Sequence, residues 1–136
     1  MILLDTVILS ELRKRQPAPA VGCWLNKFRN DDLFLSVVSV GEIERGIELK
    51  RKSDPAFAGS LSCWLEDLLR FYGDRVLPVT PSIARRWGTL SAQLGNGGSD
   101  LLIAATALTH GLQVATRNVR HFAPTGVGII NPFDEE

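Results

Sequence analysis

The chain has few of the residues that build disulfide frameworks and zinc sites. Its 136 residues include two cysteines, Cys23 and Cys63, and two histidines, His110 and His121. This excludes a disulfide-stapled secreted scaffold, and we expect both thiols to be buried in a protein of a reducing compartment. Nitrogen and sulfur ligands are too scarce for a zinc site, and two histidines give little basis for metal-free acid–base hydrolysis.

An excess of positive charge is also lacking. Fifteen basic and fifteen acidic side chains give a net charge of zero, which excludes nucleic-acid binding by bulk electrostatic attraction and leaves only local contacts. No apolar run approaches the length of a membrane span, and Asp5 interrupts the apolar start too early for a signal peptide. We therefore expect a cytoplasmic protein without membrane contact.

Short apolar runs alternate with amphipathic segments along the chain. The runs at 2–4, 33–37, 76–79, 113–116 and 128–130 indicate strands, and the segments between them place apolar residues three or four apart, as helices do. This alternation predicts an α/β fold: one domain over 1–136 with a central parallel sheet of about five short strands and helices on both sides.

Three acidic residues, Asp5, Glu42 and Asp100, lie where apolar runs give way to helices. Each has an ordinary structural explanation. Asp5 is placed to cap the first helix, and Asp100 lies where a helix dipole favours an anion. Ser39 and Glu42 have the spacing of a capping box at the start of the third helix. Taken singly, none of these acids indicates a function.

Together the acids predict a metal site. The carboxyl ends of parallel strands meet at one edge of a sheet, where carboxylates repel one another unless a cation lies between them. Oxygen ligands suit Mg²⁺, or Mn²⁺ as the alternative ion, and such ions commonly act on phosphate substrates. Asn118 occupies a fourth junction at the same predicted edge.

Hydroxyl and basic side chains lie next to these positions in sequence. Thr6, Ser39 and Thr116 are expected either to donate hydrogen bonds to the acids or to act as ordinary caps. Arg117 and Arg120 flank Asn118 and are the RNA-binding candidates, although they would suit a protein partner equally. The basic runs at 13–15 and 50–52 are interpreted as solvated helix ends that complement the helix dipole.

Five segments, in order, carry a family resemblance. They are Met-Ile-Leu-Leu-Asp-Thr at 1–6, Ser-Val-Gly-Glu at 39–42, Asp-Leu-Leu-Ile-Ala-Ala-Thr-Ala at 100–107, Ala-Thr-Arg-Asn at 115–118 and Asn-Pro-Phe at 131–133. Together they resemble the PIN-domain toxins of VapC type, including the FitB-like branch, from type II toxin–antitoxin systems. The resemblance implies a PIN-like α/β sandwich with Mg²⁺- or Mn²⁺-dependent endoribonuclease activity.

The resemblance also assigns roles and partners. It makes Asp5, Glu42 and Asp100 the catalytic metal ligands and Asn118 the fourth catalytic position. It implies an RNA substrate and a VapB-type antitoxin that blocks the site. It further implies a homodimer that forms a larger complex with the antitoxin and binds promoter DNA through it.

One departure from the family pattern supports a different function. Val7 stands where the family usually has Asn directly after Asp-Thr, and Asn118 replaces an acid that many relatives carry. Loss of a side chain that supports metal ligands can cost about 10–100-fold in metal affinity or activity. The alternative is therefore a catalytically weakened PIN scaffold that binds protein or RNA. A DNA-directed nuclease is a third reading, but the short chain lacks insertions that would clamp a duplex.

Three tryptophans provide a separate argument for dimerisation. Trp24, Trp64 and Trp87 lie in amphipathic helical segments. We expect these helices to offer more apolar surface than one small core needs, which favours a homodimer; the alternative is that all three tryptophans are interior.

Overall fold

Five parallel strands form one sheet at the centre of the molecule. The computed structural model describes residues 1–14 and 16–134. The strands are β1 Ile2–Leu4, β2 Leu33–Ser36, β3 Val76–Leu77, β4 Gln113–Ala115 and β5 Ile129–Ile130. The helices are α1 Thr6–Leu12, α2 Pro19–Leu25, α3 Val37–Arg51, α4 Pro55–Tyr72, α5 Pro81–Leu94, α6 Ser99–His110 and α7 Val119–Phe122.

The strand order is β3-β2-β1-β4-β5, so β1 lies at the centre of the sheet. Ile2 of β1 is opposite Leu33 on one side and Gln113 on the other. Every strand pair in this sheet is parallel. The carboxyl ends of the strands therefore share one edge, as the sequence predicts.

Two apolar layers cover the two faces of the sheet. Ile2 and Leu4 pack with α1 to α4, whereas Leu3 packs on the opposite face with residues of α6 and α7 such as Ile103 and Phe122. Successive strand residues point to opposite faces, so an all-apolar strand is buried on both sides. The predicted parallel sheet with helices on both sides is confirmed.

The start of α3 differs from the prediction. Ser36, not Ser39, is the N-cap, and its hydroxyl accepts a hydrogen bond from the Val38 backbone N–H over 3.0 Å. The last pair of the β2–β3 ladder joins Ser36 to Leu77, so β2 ends at Ser36 and the helix begins one residue later. The predicted capping box of Ser39 and Glu42 is therefore wrong, because both residues lie inside α3 and Glu42 is in its second turn.

The predicted burial of the cysteines is wrong, and of the three tryptophans one is interior. Cys23 and Cys63 are exposed, not buried, because each precedes an inward-facing tryptophan and adjacent helical residues point in directions about 100° apart. Trp24 is 1% exposed and belongs to the core, whereas Trp64 and Trp87 are half-buried. Trp24 therefore provides no surface for a dimer.

Two smaller observations complete the fold. No helix within residues 1–14 and 16–134 is long and apolar enough to cross a membrane. Arg15, the last residue of the basic run at 13–15, lies outside the described residues.

Candidate active site

Asp5 lies at the carboxyl end of the central strand and is the N-cap of α1, as predicted. Its backbone N–H donates to the Ala115 carbonyl of β4 over 3.0 Å. One carboxylate oxygen accepts from the Thr6 backbone N–H at 2.8 Å, and the other accepts from Thr116 Oγ1 at 2.7 Å. The residue is 2% exposed, so the sheet holds a carboxylate almost out of contact with water.

The electrostatics at Asp5 are unfavourable for its charge. The pKa of the Asp5 carboxyl is raised from 3.8 to about 6, mainly by burial and to a smaller extent by the negative charges of Asp100 and Glu42. The hydrogen bonds from Thr116 and the Thr6 backbone lower the pKa but do not compensate. The structure thus brings Asp100 and Glu42 close enough for their charges to act on Asp5.

Glu42 reaches the same place from α3. Its Oε1 accepts from Thr6 Oγ1 at 2.7 Å, and its Oε2 accepts from Ser99 Oγ at 3.2 Å. Thr6 Oγ1 is also hydrogen-bonded to the buried Ser39 Oγ over 2.9 Å. Glu42 does not cap its own helix. Its carboxylate instead accepts hydrogen bonds from residues of two other helices, Thr6 of α1 and Ser99 of α6.

Asp100 lies in the first turn of α6, and the structure pairs it with a histidine. Its Oδ2 lies 2.7 Å from Nδ1 of His121, which belongs to α7. The Asp100 side chain is 26% exposed and that of His121 is 62% exposed. This contact ties α6 to the segment after β4 at the open side of the site.

Asn118 and the two arginines follow β4. The Asn118 backbone N–H donates to Thr116 Oγ1 over 2.9 Å, so Thr116 links it to Asp5. Arg120 lines a cavity beside Asp100 and also a neighbouring cavity beside Asn118. Arg117 lines only the second of these cavities, and its guanidinium carbon lies 4.3 Å from the centre of the Phe133 ring.

The acids are not arranged as a closed metal cage. Within the described part of the chain, no group of three His, Cys, Asp or Glu side chains is positioned to hold a metal ion. The donor chemistry nevertheless fits Mg²⁺ or Mn²⁺, because Mg²⁺ usually keeps several waters and is bound through one or two carboxylates. The mutual repulsion acting on Asp5 is also what a cation would relieve.

Sequence reasoning missed two contacts at the site. Ser99 binds Glu42, and His121 binds Asp100. Ser99 precedes Asp100 directly, but only the packing of α6 against α3 shows which acid its hydroxyl reaches. His121 gave a weak signal as one of only two histidines in the chain.

Comparison with known proteins agrees with this architecture. A PIN-domain family profile matches residues 2–126. VapC ribonuclease Y4jK of Sinorhizobium fredii is 36% identical, over 98% of this chain and 99% of that protein. Toxin FitB of Neisseria gonorrhoeae is 30% identical, over 99% of this chain and 100% of that protein. A solved structure of FitAB bound to an IR36 DNA fragment superposes with a TM-score of 0.87 at 31% identity, covering 100% of this chain and 98% of that one.

These matches show that the chain belongs to the PIN-domain family. Within that family it is of the VapC and FitB toxin type, because its relatives of that type align over nearly their full lengths. The resemblance in the five segments is therefore confirmed.

Proposed function

We propose that this chain is the toxin of a type II toxin–antitoxin pair and a divalent-cation-dependent endoribonuclease. Mg²⁺ is the proposed ion, and Mn²⁺ is the alternative. One observation carries the proposal: Thr6 is hydrogen-bonded to both Asp5 and Glu42, and Ser99, which precedes Asp100, donates to Glu42, so three acids from distant segments converge at the buried Asp5 carboxyl. Carboxylates brought together at the carboxyl edge of a parallel sheet favour a cation between them.

The acids have distinct parts in this proposal. Asp5, Asp100 and Glu42 hold the cation and are the catalytic residues. Asp5 is the most fixed of the three, since its strand position and two hydrogen bonds restrict it. When bound, the cation would lower the pKa of the attacking water and offset charge developing on the phosphodiester.

Hydroxyl groups orient these carboxylates. Thr6 and Thr116 each donate to an acid at 2.7 Å, and Ser39 supports Thr6 from the helix interior. Short hydrogen bonds to ionised groups are roughly twice as strong as neutral ones. Asn118 is the proposed fourth catalytic position. The hydrogen bond from its backbone N–H to Thr116 Oγ1 holds it beside Asp5.

The two arginines provide phosphate contacts on the RNA strand. Arg120 is the stronger candidate, because it lines the cavities beside both Asp100 and Asn118. Arg117 contributes at the rim, where its guanidinium packs over Phe133.

Partners follow from the relatives. FitAB, a structural relative at 31% identity, is bound to DNA in its solved structure. We propose that this chain likewise pairs with a VapB-type antitoxin, that it forms a homodimer within a larger complex, and that promoter DNA is bound through the antitoxin. We further propose that residues 1–136 form a single PIN domain that acts in the cytoplasm.

A cleavage assay tests the proposed activity. Purified protein is incubated with total RNA while Mg²⁺ or Mn²⁺ is titrated, with EDTA as the metal-free arm. The protein should cleave RNA only with the cation, and Asp5→Asn should abolish cleavage. Asp74→Asn, an exposed carboxylate outside the site, is the matched control and should cleave normally. Full activity of Asp5→Asn, or no cleavage by the unmodified chain with either ion, rejects the proposal.

Val7 favours a second candidate function, a catalytically weakened scaffold that binds protein or RNA. Val7 follows Thr6 at the start of α1 and brings no polar group to the carboxylates. The variant Val7→Asn separates the two functions. Cleavage that appears only in Val7→Asn identifies the natural chain as a weakened scaffold, whereas equal cleavage by both proteins favours the active enzyme.

A further inference from the structure

A cavity of about 310 Å³ opens directly from the site, between α1, α3 and α4. Thr6 and Glu42 line one end of it, and these two residues are joined by the 2.7 Å hydrogen bond described above. Small-molecule sites have volumes of roughly 300–1,000 Å³. The cavity is thus continuous with the carboxylates and has room for a group about the size of one nucleotide.

The opposite end of the cavity combines an aromatic ring with two cations. Arg13 Cζ lies 5.5 Å from the centre of the Phe57 ring, and Lys50 Nζ lies 5.9 Å from it. All three residues line the cavity, and Phe57 is 36% exposed. Arg13 and Lys50 come from the two basic runs whose positions in the sequence are typical of solvated helix ends. The fold instead brings one residue of each run to the same ring.

Neither cation has a carboxylate partner in the described part of the chain. Lys14 and Arg51, the neighbours of Arg13 and Lys50, are paired with Glu11 and Glu48, whereas the charged groups of Arg13 and Lys50 lie over the ring of Phe57. Unpaired cations next to an exposed aromatic face are the features by which proteins bind single-stranded nucleic acid without sequence preference.

Gly46 lines the wall of the cavity. It lies one turn beyond Glu42 in α3, and a Cβ placed there would meet no atom within 4 Å. Close helix packing therefore does not explain this glycine, although glycine within a helix costs about 1 kcal/mol relative to alanine. A side chain at this position would instead project into the cavity next to the acids.

We propose that this cavity is a nucleotide-binding subsite for the RNA strand next to the scissile phosphate. A base stacks on Phe57 as Arg13 and Lys50 move from its ring to contact backbone phosphates. The proposal rests on the proposed ribonuclease function. Charge complementarity favours RNA over an apolar peptide, because an apolar occupant would bury both cations without a partner, and that costs free energy.

Fluorescence anisotropy of a labelled single-stranded RNA of about ten nucleotides tests the subsite. All proteins carry Asp5→Asn, which prevents cleavage, so binding is read separately from activity. Phe57→Ala should weaken binding about tenfold, since losing a base–aromatic stack typically has an effect of this size. Phe57→Trp keeps a stacking face and should restore affinity. Phe57→Leu, which keeps apolar bulk without a ring, replaces the alanine variant if that protein does not fold.

The salt dependence of binding tests the two cations. Each phosphate contact contributes roughly −0.7 to the slope of log K against log salt concentration for single strands. Arg13→Gln with Lys50→Gln should therefore make the slope shallower by about 1.4. Arg51→Gln with Lys52→Gln is the matched control, because it also removes two positive charges, at the end of α3, from residues that do not line the cavity.

Unchanged RNA affinity and salt slope in the Phe57 and Arg13–Lys50 variants would overturn the subsite. If the same variants also lose binding to the antitoxin encoded by the neighbouring reading frame, the cavity is a protein interface instead. Failure of the unmodified chain to cleave RNA would reject the proposed function alone, because RNA binding is measured in a background that cannot cleave.

Discussion

Replacing Asp5 with asparagine should make the folded protein more stable at neutral pH while removing its proposed activity. The Asp5 carboxyl is 2% exposed, and its pKa is raised from 3.8 to about 6. One pKa unit corresponds to about 1.4 kcal/mol. Keeping this group ionised in the folded state therefore costs roughly 3 kcal/mol at a pH well above 6.

The sign of the pH dependence follows from proton binding. Between pH 3.8 and about 6 the folded state keeps the Asp5 proton and the unfolded state has released it. The folded state binds more protons in this window, so the contribution of Asp5 to stability falls as pH rises. Asparagine has no charge to desolvate and caps helices as well as aspartate does. Allowing about 1 kcal/mol for a weakened hydrogen bond, Asp5→Asn should be about 2 kcal/mol more stable at pH 7.5.

Urea unfolding of both proteins at a series of pH values between 4 and 8, in EDTA, measures this effect. The difference in unfolding free energy should change by up to roughly 3 kcal/mol across the window, in favour of asparagine at high pH. Asp74→Asn, which removes an exposed carboxylate, should show no comparable change. A pH-independent difference for Asp5→Asn, or one that favours aspartate as pH rises, would refute the electrostatic argument.

Three further predictions concern the support of the site and the core. Thr116→Val should lower stability at pH 7.5 by about 1–3 kcal/mol in urea unfolding, because the buried Asp5 carboxylate loses the bond from Thr116 Oγ1; unchanged stability would contradict it. His121→Ala should weaken Mn²⁺ binding about 10–100-fold in a spin-resonance titration of free Mn²⁺, because Asp100 loses the partner that orients it, and equal affinities would count against this role. Trp24→Ala should cost about 3–5 kcal/mol in unfolding free energy, since Trp24 is 1% exposed, and a loss below about 1 kcal/mol would place it outside the core.

The sequence predicted the architecture well because its strands are short and buried on both faces. The run Ile2–Leu4 is wholly apolar, as a central parallel strand requires, and Asp5 after it marks the strand end and the helix start together. Local chemistry also determined the start of α5, where Thr80 caps the helix and Pro81 begins it. These features depend on neighbouring residues alone.

Features that depend on packing between distant segments were harder to predict. Ser36 and Ser39 are both suitable helix caps, and only the pairing of Ser36 with Leu77 places the strand end at the first of them. The contacts of Ser99 with Glu42 and of Arg13 with Phe57 join helices that are far apart in sequence. No periodic pattern within one helix contains that information.

The location of a bound divalent cation tests the proposed site most directly. Crystals of the protein grown with Mn²⁺ and measured at the manganese absorption edge would locate the ion without reference to activity. We expect an anomalous peak between the carboxylates of Asp5, Asp100 and Glu42, and no such peak in crystals of Asp5→Asn. Peaks only at other positions, or no peak at saturating Mn²⁺, would contradict a cation site at these acids.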